Sequence, residues 1–153
     1  MFRLTAVAAL LLGTSAFASG TSKKPCTENE AVQAENSVDS LTDWDRVYRA
    51  YKNFSQCDDG AIAEGYSDAV GKLLANDWTN FDRLRTLAKT DRGFLQFVLK
   101  HIDATLPDDI LQKISANARS ACPAGDQNLC RMVARASAKA TAQGSKLAGG
   151  PGF

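Results

Sequence analysis

The densest set of side chains able to do chemistry in this sequence is acidic: Asp58, Asp59, Glu64 and Asp68. Glu64 and Asp68 are four residues apart, so a helix would bring them to one face, with the two aspartates at its start. Such a group can ligate calcium, or act as an acid–base pair if one carboxyl is buried and its pKa raised. Calcium loops place oxygen ligands at alternating positions, and Asp58-Asp59-Gly60-Ala61-Ile62-Ala63-Glu64 does not. The expected role is plainer: an aspartate N-cap followed by a solvated face, with Lys72 closing a helical charge pair to Asp68.

His101 is the one histidine. As a general base it would need a nucleophile and an orienting group to converge on it. As a haem ligand, with Met132 as the second axial group, it would lack the C-x-x-C-H attachment sequence. A partly buried structural histidine is expected instead. The glycine-rich end, Gly149-Gly150-Pro151-Gly152, has neither the spacing nor the preceding strand of a phosphate loop. No metal and no cofactor is expected.

Trp44, Val47, Tyr48, Tyr51 and Phe54 recur at spacings of three and four, the stripe of a helix packed into a core. Tryptophan and tyrosine also anchor protein interfaces. Trp44 opens its helix and Trp78 falls in a loop, so both are expected to be partly exposed. With Asp58, Asp59, Glu64 and Asp68 they form the candidate partner-binding set.

The elements that must position these residues are helical. Thr27-Glu28-Asn29-Glu30 is a capping box opening a helix over 28–38. Thr42 is expected to cap a helix over 43–55, and an aspartate before Gly60 one over 60–76. In that third helix Ala61, Gly65 and Ala69 make a small-residue ridge. Gly65 costs roughly 1 kcal/mol of helix propensity against alanine, which close approach of a neighbour would explain. Thr79 and Asp91 are read as caps of two short helices, and Pro107 as the first turn of another. Pro123 to Asn128 turns the chain into a last helix, which is expected to end by 136. From Ser137 onward Ala, Lys, Gln, Ser and Gly dominate, so 137–153 is expected to be a flexible tail. No stretch alternates with the period of a strand. The fold class is therefore all-α: an irregular bundle of six or seven short helices.

Cys26, Cys57, Cys122 and Cys130 are an even set that allows three pairings. If the first two helices are antiparallel, Cys26 and Cys57 share one end, while Cys122 and Cys130 flank one turn. Those two pairs are favoured; Cys57 to Cys122 would instead join the two halves. Disulfides imply an oxidising compartment, and the N-terminus agrees. Arg3, the apolar run Leu4 to Gly13 and Ala16-Phe17-Ala18 lay out a secretory signal over 1–18. The run is about ten residues where a membrane span needs roughly twenty, so no stable anchor is expected after cleavage. The helical domain would then occupy 19–136.

Over the 153 residues, 18 Lys and Arg nearly balance 17 Asp and Glu. Nucleic-acid binders carry a basic excess or stripe because phosphate neutralisation supplies most of their affinity, so no nucleic-acid partner is expected. The stretch Cys57-Asp58-Asp59-Gly60, Glu64-Gly65-Tyr66-Ser67-Asp68, Leu73-Leu74 and Trp78 resembles a pattern in small exported proteobacterial helical proteins of unknown function. The layout is also similar, more loosely, to periplasmic immunity proteins that neutralise secreted antibacterial effectors. That similarity implies a periplasmic or secreted, non-enzymatic domain that binds another protein, as an immunity protein or an inhibitor of a cell-envelope-targeting enzyme. The alternatives are a small cell-envelope hydrolase using a carboxylate pair, or a secreted structural or accessory protein.

Overall fold

A computed structural model describes residues 24–148, so the expected signal peptide over 1–18 lies outside the described residues. Among them the chain is all-α, with seven α-helices and short 3₁₀ turns between some of them. Helix α1 is Glu28–Ser37, α2 Trp44–Phe54, α3 Gly60–Asn76, α4 Phe81–Thr90, α5 Arg92–Lys100, α6 Asp108–Ser120 and α7 Gln127–Ala148.

The helix starts follow local chemistry. Thr27 and Glu30 close the expected capping box: the Glu30 amide donates to Thr27 Oγ1 at 3.3 Å, and the Thr27 amide to Glu30 Oε2 at 3.0 Å. Asp91 caps α5 by accepting from the Phe94 amide at 3.0 Å. Two expected caps are corrected. Asp43, not Thr42, caps α2, accepting from the Arg46 amide at 2.8 Å. Thr79 does not cap α4; it lies in a 3₁₀ turn over Trp78–Asn80 that Asp77 holds by accepting from Asn80 Nδ2 at 2.8 Å. Pro107 stands just ahead of α6 as its N-cap residue rather than inside the first turn.

One hydrophobic core joins all seven helices, with Val47, Tyr66, Val70, Leu84, Phe94, Val98, Ile114 and Val133 fully buried. The glycine in α3 has the close neighbour its helix cost implied. A Cβ at Gly65 would collide with the Val38 side chain, carried by the turn that follows α1. Both favoured disulfides are present, Cys26–Cys57 and Cys122–Cys130, and no cysteine is free. The first closes the α1–α2 pair at one end of the bundle, and the second pins the turn from α6 into α7.

The largest correction concerns the C-terminal tail. Residues 137–148 continue α7, which packs along α6 as the most extensive helix pair of the fold. Ala, Lys, Gln and Arg are strong helix formers, and only small side chains are needed on the inner face. Ser137 and Ala140 are each 1% exposed, and Ser137 Oγ donates to the Leu111 carbonyl at 2.6 Å. Among the described residues no helix is long and apolar enough to cross a membrane.

Candidate functional site

The candidate residues do not form one site. Glu64 and Asp68 are exposed on the outer face of α3, where Lys72 Nζ lies 2.6 Å from Asp68 Oδ2. Asp59 caps α3 by accepting from the Gly60 amide at 2.8 Å. Trp44 is corrected outright: at 2% exposure it belongs to the core, because α2 begins against the bundle rather than at its rim. Trp78 is half-buried; it stacks on Phe81 with ring centroids 4.2 Å apart and donates from Nε1 to the Ala121 carbonyl at 2.8 Å. It ties the turn after α3 to the end of α6.

Of the four candidate carboxylates, Asp58 alone turns inward. Its side chain is 5% exposed and sits between two groups from the end of α5: Lys100 Nζ 2.8 Å from Oδ2, and His101 Nε2 3.3 Å from Oδ1. His101 is itself 1% exposed and continues the inner face set by Phe94, Phe97 and Val98. Across the ring, His101 Nδ1 is 3.0 Å from Ser67 Oγ on α3, and Ser67 Oγ donates to Asp103 Oδ2 at 2.8 Å. With the hydroxyl proton given to Asp103, Ser67 Oγ is left to accept from Nδ1–H. Asp103 is held in turn by the Thr105 amide, which donates to its Oδ1 at 2.8 Å. A polar chain Asp58–His101–Ser67–Asp103 thus joins the start of α3, its middle, the end of α5 and the loop into α6.

The electrostatics follow from that setting. Burial pushes the Asp58 carboxyl upward, but His101 and Lys100 outweigh it and hold its pKa at about 2. Burial raises Asp103 too, and is again outweighed, here by hydrogen bonds from Thr105 and Ser67, so its pKa falls below the ordinary value. Tyr66, next to Ser67 in α3, is fully buried with no hydrogen-bond partner for its hydroxyl. Burial and the nearby Asp58 charge push its pKa up to about 12.

Serine, histidine and aspartate in line are the residue types of a hydrolytic triad, and the geometry allows a direct comparison. In a working triad the serine lies on Nε2 and the carboxylate on Nδ1, with the hydroxyl facing substrate. Here the two nitrogens have exchanged partners, and Ser67 is 2% exposed with its proton committed to Asp103. One surface groove of about 510 Å³ meets the chain of residues at Asp103 alone; its other walls are Ala104, Thr105, Gln143, Lys146 and Leu147. Neither Ser67 nor His101 lines it. The arrangement can clamp helices together, and it offers no route for a substrate to reach the hydroxyl. Among the described residues, no group of three or more His, Cys, Asp or Glu side chains is placed to hold a metal ion.

Ser67 and Asp103 were not marked by their sequence context. Ser67 lies between Tyr66 and the buried Ala69 and Val70, so the inner-face spacing was the available signal. Asp103 had none, because its place depends on how the α5–α6 loop folds back. Compared with protein-family models, curated proteins and solved structures, the chain matches none.

Proposed function

We propose that this chain is a non-enzymatic, exported binding domain that holds another protein in the periplasm or outside the cell. In its sharpest form it is an immunity protein or inhibitor of a cell-envelope-targeting enzyme. The observation that carries this reading is the enclosure of Ser67, His101 and Asp58 inside the bundle, where they brace helices instead of meeting a ligand. The two disulfides support the compartment, since such bonds persist where the surroundings are oxidising. They also support the mechanism: a cross-linked bundle presents its surface without an ordering cost on binding. The surface carboxylates Asp59, Glu64 and Asp68 along α3 are the contact set, fitted to cations that line a partner's cleft.

The test is co-purification of the tagged protein from the periplasm of its own cells, with Glu64→Lys/Asp68→Lys in parallel. A partner enzyme that is retained by the wild type, inhibited by it and released by the charge reversal supports the proposal. A hydrolytic activity on cell-wall material that disappears in Glu64→Gln, with no protein retained, overturns it.

A further inference from the structure

Helix α7 carries four charged side chains, Arg131, Arg135, Lys139 and Lys146, and no acidic one. At about 100° per residue they fall within roughly 80° of arc, a stripe some 22 Å long at 1.5 Å per residue. All four are exposed, because Leu129, Cys130, Val133, Ser137 and Ala140 commit the opposite side of the helix to the core. Among the described residues none of the four forms an ion pair. The stripe was hidden in the sequence because the helix was expected to end by 136, between Arg135 and Lys139.

The other end of the chain is its electrostatic opposite. Helix α1 has no basic residue, and Glu28, Val32 and Glu35 share an exposed face within roughly 60° of arc. Asp39, in the turn that follows, is also exposed. Lys24 pairs with Glu30, whereas Glu28, Glu35 and Asp39 have no ion-pair partner among the described residues. Val32, 50% exposed, adds an apolar contact in the middle of that face. The chief neighbours of α1 are α2 and α3, while those of α7 are α6 and α5, so the two faces do not neutralise one another within one molecule.

We propose that the chain self-associates, docking the acidic α1 face of one copy on the cationic α7 face of another. The favoured occupant is a second copy because the complementary charge is carried by the chain itself. A membrane surface fits less well, since the inner side of α7 is spent on the core and Leu147 is the one large apolar side chain it exposes among the described residues, too little to anchor the helix among lipids. Exposed Ala138 and Ala142 lie on the same side of α7 as the cations, and their short side chains leave room for a helix to approach. The contact either repeats head to tail or closes as a twofold pair in which each α1 meets the other copy's α7. It is independent of the α3 surface assigned to a partner above.

Sedimentation velocity on the purified, oxidised protein tests this. Association is expected at about 0.01 M salt, where charges act over roughly 30 Å, and dissociation at about 1 M, where they act over roughly 3 Å. Arg135→Glu/Lys139→Glu and Glu28→Lys/Glu35→Lys should each weaken self-association about tenfold or more, with unchanged helical circular dichroism. An equimolar mixture of the two variants should associate again, because each then carries the complement of the other. A wild type that stays monomeric at low salt overturns the proposal, whether or not α7 binds some other polyanion. So does an association that neither reversal weakens, or a mixture that fails to recover.

Discussion

Helix α3 carries carboxylates and hydroxyls on two faces, and the two faces behave as different materials. On the outer face Glu64 and Asp68 stand in solvent, with Lys72 as the nearest opposite charge. At the inner face Asp58, just ahead of the helix, and Ser67 within it hold His101 between them, each largely or wholly enclosed. The chemistry of the groups is similar; the dielectric around them is not. An exposed ion pair is screened and contributes little. An enclosed carboxylate is costly to bury and costlier still to strip of a partner, because its charge has no water to return to. The inner set therefore governs stability, and the outer set contributes little to it.

That contrast can be broken most severely at His101. His101→Ala leaves Asp58 enclosed without its ring partner and opens a void beside Phe97, whose ring centroid lies 4.4 Å away. A loss of about 3–5 kcal/mol in urea unfolding is expected, enough to threaten folding. The milder His101→Gln, which keeps a donor, should recover part of it.

Asp58→Asn comes next, with a loss on the order of 2 kcal/mol at neutral pH. Because the folded Asp58 pKa of about 2 is below the ordinary carboxylate value of 3.8, its stabilisation is present above the higher value. It is lost as pH falls through the lower one. Wild type and Asp58→Asn should thus differ most at neutral pH and converge near pH 2, as acid unfolding curves will show.

Tyr66→Phe sharpens the comparison in the other direction. The Tyr66 hydroxyl is enclosed and unpartnered, so removing it should leave stability unchanged or raise it by up to about 1 kcal/mol. Thermal unfolding of the two proteins side by side settles the sign. The smallest effect is expected on the outer face: Glu64→Gln and Asp68→Asn should each stay within about 0.5 kcal/mol of wild type in the same urea assay.

Much of this architecture is legible in the amino-acid sequence. The three-and-four spacing of large apolar residues locates α2, and Thr27, an aspartate before Gly60 and Asp91 mark helix starts that the structure keeps. The disulfides were readable because each closes a local helix pair, so short-range geometry decided the pairing. Where the reading failed, the cause was long-range packing. Asp58 and Asp59 are adjacent and chemically identical, yet one faces Lys100 and His101 while the other caps a helix. Nothing local separates them. Partial exposure is expected of Trp44 because it opens a helix, and only the packing of α2 on its neighbours encloses it. The second half of α7 is silent in the sequence because its inner face is built from Ser137 and Ala140 and not from large apolar side chains.

Ser67 as a brace and not a nucleophile is the central claim. Incubating the native protein with a fluorophosphonate, followed by peptide mapping, reads that directly. The expected result is an unmodified Ser67, sealed by the bundle and bonded to Asp103. Stoichiometric labelling of Ser67 that vanishes in His101→Ala would contradict it, and would point to an enzyme where a binding domain is proposed.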